Sequence, residues 1–211
     1  MQIDEIRAAV HAVRGETERL LCELIRQPSL PGEEAGAANC AAGWFARVAT
    51  VERIPLSDEL LKDPDYSDPI AGLHYDGRAN LRVRSAGTGG GRTLLFNTHL
   101  DVVPASEGQE RPFDPQPAGG VVRGRGACDA KGQVSTIYMV LAALARLGLK
   151  LRGDLLAHLV VEEEVGGNGT LAMVRHGERA DACIVMEPTA LRVLSSVRGA
   201  VWFRVICTGK P

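Results

Sequence analysis

Apolar runs of strand character alternate along this chain with longer segments whose apolar residues recur at helical spacing. That alternation restricts the fold more than any other feature of the sequence. Strand-like runs lie at 51–54, 80–83, 93–96, 155–161 and 182–185, with two more expected at 193–197 and 201–206. Helical patterns occupy 3–25, 33–48, 133–147 and 170–176. In the third of these, Val134, Ile137, Tyr138, Leu141 and Leu144 fall along one apolar face. Pro28 and Pro31 close the first helical segment, and 57–77, mixing Asp, Pro, Tyr and Gly, reads as loop. Strands interleaved with helices predict an α/β fold, with a mixed, largely parallel sheet flanked by helices. The glycine cluster SAGTGGGR lacks the GK[ST] of a phosphate loop and reads as a flexible strand connection.

A chain of 211 residues with 45% hydrophobic and 24% charged residues can bury a sizeable core. Its formal net charge of −2 excludes a general attraction to nucleic acid or anionic membrane. No apolar stretch approaches the ~20 residues that cross a bilayer, and the charged N-terminus lacks a signal-peptide core, so a cytoplasmic location is expected. Cys22, Cys40, Cys128, Cys183 and Cys207 stand singly, as reduced thiols do. Cys128 reads as a small loop residue rather than a ligand.

Four polar clusters stand at the carboxyl ends of apolar runs: NTHLDVVP, GRGACDAKG, VVEEEVGG and IVMEPT. Ligand sites in open α/β sheets form at such strand ends, so clusters far apart in sequence can converge there. His99 and Asp101, two apart, share a face in extended backbone, and Asp101 can then accept from one imidazole nitrogen while the other binds metal. Taken alone the pair also suits a surface turn. Asp129 alone suits a helix N-cap, yet its carboxylate could bridge two metals. Glu162, Glu163 and Glu164 crowd like charges at a strand end, a difficulty that a bound cation removes. Glu163 and Glu164 can divide the roles of general base and ligand, leaving Glu162 behind them or in solvent. Glu187 is a further oxygen donor, or an exposed strand-end glutamate. A mixed imidazole and carboxylate set suits zinc or cobalt better than calcium or magnesium.

THLDVVP, GRGACDAKG, EEEVGGNGT and MEPT, in this order, resemble the co-catalytic zinc metallopeptidase family that includes acetylornithine deacetylase, succinyl-diaminopimelate desuccinylase, aminoacylase and the glutamate carboxypeptidases. The resemblance runs from about residue 20 to the last residue and implies a catalytic domain carrying a smaller lid or dimerisation domain. It implies His99 as ligand of one zinc with Asp101 orienting it, Asp129 as the bridge, and Glu163 as general base. Glu164 is then ligand of the second zinc, and Glu187 the remaining ligand of the first. The implied reaction is hydrolysis of the amide of an N-acyl amino acid or short peptide by metal-activated water, and the resemblance leaves room for a homodimer of the complete protein.

The family supplies one more ligand histidine, which no motif here matches; His11, His74, His158 and His176 read as surface or structural. The expectation is therefore an N-terminal part of such an enzyme, residues 1–196 in the catalytic domain and 197–211 opening the lid. About one metal is expected to be held tightly, with hydrolysis weak. Dipeptidase, carboxypeptidase or aminopeptidase activity is the neighbouring alternative, and a non-catalytic metal-binding remnant the alternative from another class. Arg198, in SSVRGAVWF, reads as a structural arginine at a strand turn, with contact to a substrate carboxylate as the second reading.

Overall fold

The computed structural model describes residues 2–67, 70–197, 199, 203 and 205–209. Helices α1 (Ile3–Ala12) and α2 (Arg14–Ile25) replace the single helix expected over 3–25. The break falls at Val13, whose φ of −95° and ψ of 0° cap one helix and start the next. Val13 is β-branched and Gly15 follows closely, two poor helix formers, and turning the chain there buries the Val13 side chain in the core. α3 (Ala35–Phe45) is alanine-rich, and the small side chains of Ala37, Ala38 and Ala41 are buried against the sheet side of the core.

The main sheet contains β1 (Thr50–Pro55), β2 (Ala79–Ser85), β3 (Leu94–His99), β6 (Leu155–Val160) and β7 (Ala182–Val185) in the order β1-β2-β6-β3-β7. β1 with β2 and β2 with β6 are antiparallel; β3 is parallel to both β6 and β7. The sheet is thus mixed, and its parallel part consists of the three strands whose ends carry His99, the glutamate triplet and Glu187. Parallel neighbours end along one edge, which brings these distant segments together.

β6 is buried along its whole length. Its alternate residues Leu155, Ala157 and Leu159 join the large core made with α1, α2, α3 and α4 (Lys131–Arg146). Val160, on the other face, packs with Ile54 and with Met173 of α5 (Asn168–Arg175). Each fully buried Leu, Phe or Met of this kind contributes about 1.5–3 kcal/mol. Trp44 and Phe45 meet Tyr138 edge-on at 5.4 and 5.7 Å, locking α3 to α4.

A two-stranded hairpin, β4 (Gln116–Ala118) and β5 (Val121–Arg123), turns on Gly119 and Gly120, both at positive φ. These strands are three residues long and one contains Pro117, so no alternation betrays them. The loop after β1 contains a short 3-10 helix, Asp58–Lys62.

The strand expected at 193–197 is not formed: these residues have no regular structure, and Val193 and Val197 are almost fully exposed. Among the described residues no strand pairs with this run, so its backbone groups have no ladder partners. Of the run 201–206, Val201, Trp202 and Arg204 lie outside the described residues, as does Arg198. Phe203, Val205 and Ile206 are exposed and irregular. Among the described residues, no helix is long and apolar enough to cross a membrane.

Candidate metal centre

His99 closes β3 and is fully buried. Its Nδ1–H donates to the main-chain oxygen of Asp101 at 3.0 Å, with the Asp101 carboxylate at 3.5 Å. The strand ends at His99, and past the last ladder bond, from Leu100 N–H to the Val160 carbonyl, Val102 N–H bonds the Ser29 carbonyl outside the sheet. Asp101 therefore orients the ring first through its carbonyl. Both carboxylate oxygens of Asp101 are engaged elsewhere, one accepting the backbone N–H of Glu163 at 3.1 Å and the other that of Glu164 at 3.0 Å. A fixed Nδ1–H leaves Nε2 as the nitrogen that faces the carboxylates.

Around His99 Nε2 lie Asp129 Oδ1 at 3.0 Å, Glu163 Oε2 at 3.8 Å and Glu187 Oε2 at 4.0 Å. Two overlapping sets of donors result, His99 with Glu163 and Glu187, and His99 with Asp129 and Glu164. In each set the ligand atoms lie within 4.8 Å of one another. The side chains of Glu187, Glu163 and Asp129 are 32%, 40% and 48% exposed, so a ligand can reach them from solvent.

Three of the four positions sit at the ends of parallel main-sheet strands, as the sequence suggests. Asp129 does not. It follows the small β4–β5 hairpin and arrives ahead of α4, one residue before the helix cap at Ala130. No side chain caps that helix, so Asp129 is free of the N-cap role and points its carboxylate at His99.

The electrostatics are those of carboxylates pressed together. Burial pushes the carboxyl pKa of Glu163, Glu164 and Glu187 up, that of Glu187 to about 7, and the neighbouring carboxylates add to the rise. For His99, burial disfavours the charged ring, but Asp101, Glu163 and Glu187 outweigh it and raise its pKa to about 10. This donor set, one imidazole nitrogen amid four carboxylates, has the chemistry of a site for a divalent cation.

Two neighbours have partners that the sequence does not announce. Glu162, expected behind its neighbours or in solvent, is completely buried. One of its oxygens accepts from Tyr75, Tyr66 and Asn168, and the other lies 2.9 Å from Arg78. Arg78 in turn forms a two-pronged pair with buried Glu34. Lys131, inside the GRGACDAKG motif, is also fully buried, donates to the Gln27 carbonyl at 2.8 Å, and has its pKa lowered by burial to about 8. Its place beside Asp129 in the motif was the available signal. His158 is buried as a structural histidine, paired with Glu178 at 3.2 Å.

Residues 95–197 match the model of a family described as Peptidase family M20/M25/M40. The chain is 34% identical over 180 residues to a succinyl-diaminopimelate desuccinylase of Methylobacterium radiotolerans, covering 81% of this chain and 42% of the relative. It is 32% identical over 124 residues to an N-formyl-4-amino-5-aminomethyl-2-methylpyrimidine deformylase of Bacillus subtilis, covering 56% of this chain and 29% of the relative. The crystal structure of human carnosine dipeptidase 1 is similar in fold, with a TM-score of 0.71 and 19% identity over 88% of this chain and 41% of that one. The chain spans less than half the length of these relatives.

Proposed function

The chain carries a domain of the peptidase family M20/M25/M40, and from that premise we propose that it is the metal-holding part of a hydrolase that cleaves the amide of small N-acyl amino acids. The observation that carries this reading is the gathering of Asp129, Glu163 and Glu187 within 4.0 Å of one imidazole nitrogen. The similarity to a desuccinylase over most of this chain supports the acyl amino acid as substrate class. Residues 1–196 form the N-terminal part of the catalytic domain in this reading.

His99, Asp129 and Glu187 would hold one zinc, and Asp129 with Glu164 a second, more weakly; cobalt is an alternative metal. When bound, the metal supplies Lewis-acid polarisation of the scissile carbonyl and lowers the pKa of water. Asp101 fixes the imidazole and the backbone of both glutamates that follow β6. Glu163 presents Oε2 to the site with its pKa raised by burial, which suits a carboxylate that takes a proton from water and returns it to the leaving amine. The half-exposed rim formed by Asp129, Glu163 and Glu187 leaves the substrate a way in.

A panel of N-succinyl, N-acetyl and N-formyl amino acids and of dipeptides, incubated with the complete protein and zinc or cobalt, tests the reading. Release of free amine from the acyl amino acids is expected. Cleavage of the dipeptides alone would transfer the activity to a peptidase, and no amine from any member would overturn the hydrolase reading.

A further inference from the structure

The segment between β1 and β2 is buckled onto the turn that follows β6. Ser67 N–H donates to the Asn168 side-chain oxygen at 3.1 Å, Asn168 Nδ2 returns to the Ser67 carbonyl at 2.9 Å, and Ser67 Oγ donates to the Gly166 carbonyl at 3.0 Å. At the centre of this buckle is Glu162. Its backbone stands in the left-handed region at φ 58°, which a β-carbon disfavours, so its side chain must hold it there. Glu162 Oε1 accepts from Tyr75 at 2.8 Å, from Tyr66 at 3.0 Å and from Asn168 at 2.9 Å. The bond to Asn168 closes the turn 162–168 on itself. Arg78, shared with Glu34, supplies the cation, with Glu162 Oε2 2.9 Å from its guanidinium.

A buried carboxylate is a poor device for stability alone, since desolvation offsets much of the attraction and an apolar residue of similar size would suit the core. What this one does is geometrical. Glu163 and Glu164 are the next two residues, and their backbone N–H groups are fixed from the other partner, Asp101. We propose that Glu162, through Tyr75, Tyr66, Asn168 and Arg78, is a positioning residue that sets the direction in which Glu163 and Glu164 leave β6 and so shapes the metal centre. The proposal rests on the reading of that centre as a cation site.

Cobalt(II) is the probe, because its visible absorption reports the ligands around it. The 211-residue chain, its Glu162→Gln variant and its Tyr75→Phe variant are titrated with cobalt(II) and followed by absorption, with circular dichroism as the control on folding. Both variants are expected to keep the fold, to bind cobalt(II) about 10–100-fold more weakly, and to show an altered band. An unchanged band and affinity in folded Glu162→Gln overturn the proposal. Where Glu162→Gln does not fold, Tyr75→Phe and the milder Tyr66→Phe decide it by the same readout, and wild-type spectra in both overturn it. Absence of cobalt(II) uptake by the unsubstituted chain is a different result, which removes the cation site itself and the positioning role with it.

Discussion

Asp101 accepts the backbone N–H of Glu163 at 3.1 Å, so the residue that orients the imidazole also fixes the start of the carboxylate turn. Its second oxygen does the same for Glu164. In Asp101→Asn one of the two acceptors becomes an amide donor facing an N–H in a fully buried place. An unsatisfied buried donor costs about 1–3 kcal/mol. A fall in melting temperature of roughly 2–12 °C is expected, together with metal binding about 10–100-fold weaker. A variant that melts and binds like the parent would show that the two N–H bonds contribute nothing.

Glu163 and Glu164 are neighbours with different expected losses. On the proposed function, Glu163→Gln in the complete protein removes the proton acceptor and should lower the turnover rate about 10²–10⁴-fold with metal retained. Glu164→Gln should instead lower metal content, measured by elemental analysis after dialysis. The reverse pattern would exchange the two assignments.

Metal affinity should rise with pH. In the metal-free chain the pKa of His99 is raised to about 10, so near neutrality the ring carries a proton that a cation must displace. Between about pH 7 and 8 the apparent affinity should therefore gain roughly tenfold per unit. Glu187, raised to about 7 by burial, holds a second proton at lower pH and should make the slope steeper there. In the absence of metal the sign is opposite for His99. Its charged form stabilises the fold fully below the usual imidazole pKa, and that contribution is lost as pH rises through about 10. Metal titrations monitored with a competing chelator across this range check the slope, and a pH-independent affinity would contradict it.

Gly169 should tolerate no side chain. A Cβ there would overlap the Val161 carbonyl, and the Gly169 carbonyl itself accepts from buried Asn80 at 2.8 Å. Gly169→Ala must push α5 away from the end of β6, at a cost of about 1–3 kcal/mol. Denaturant unfolding should show a lower midpoint, and the displaced turn should weaken metal binding in parallel. Loss of stability with metal affinity intact would separate this contact from the site.

Much of this arrangement is legible in the sequence. The periodicity of 133–147 gave α4, and the apolar run ending in glutamates gave β6 and its carboxylate turn, because these patterns reflect burial that the local sequence already records. His99, Asp129, Glu163, Glu164 and Glu187, which the fold brings together, lie in four compact motifs whose order matches a known pattern. The partners of Glu162 were not. Tyr75 and Arg78 lie in a loop that carries no period, and nothing near Glu162 in sequence announces a buried cation. Nor could the sequence reveal that β3, β6 and β7 run parallel while β2 opposes β6, since strand direction is decided by packing across the whole sheet.

On the proposed reading His99 Nε2 nucleates a cation site, and metal stoichiometry tests this most directly. A single imidazole nitrogen can serve only one of the two overlapping donor sets, leaving carboxylates alone for the other. The 211-residue chain, loaded with zinc and dialysed, should retain about one ion per chain, and His99→Ala should retain almost none while keeping its helical circular dichroism. Retention of the same zinc by folded His99→Ala, or none by the parent chain, would contradict the account.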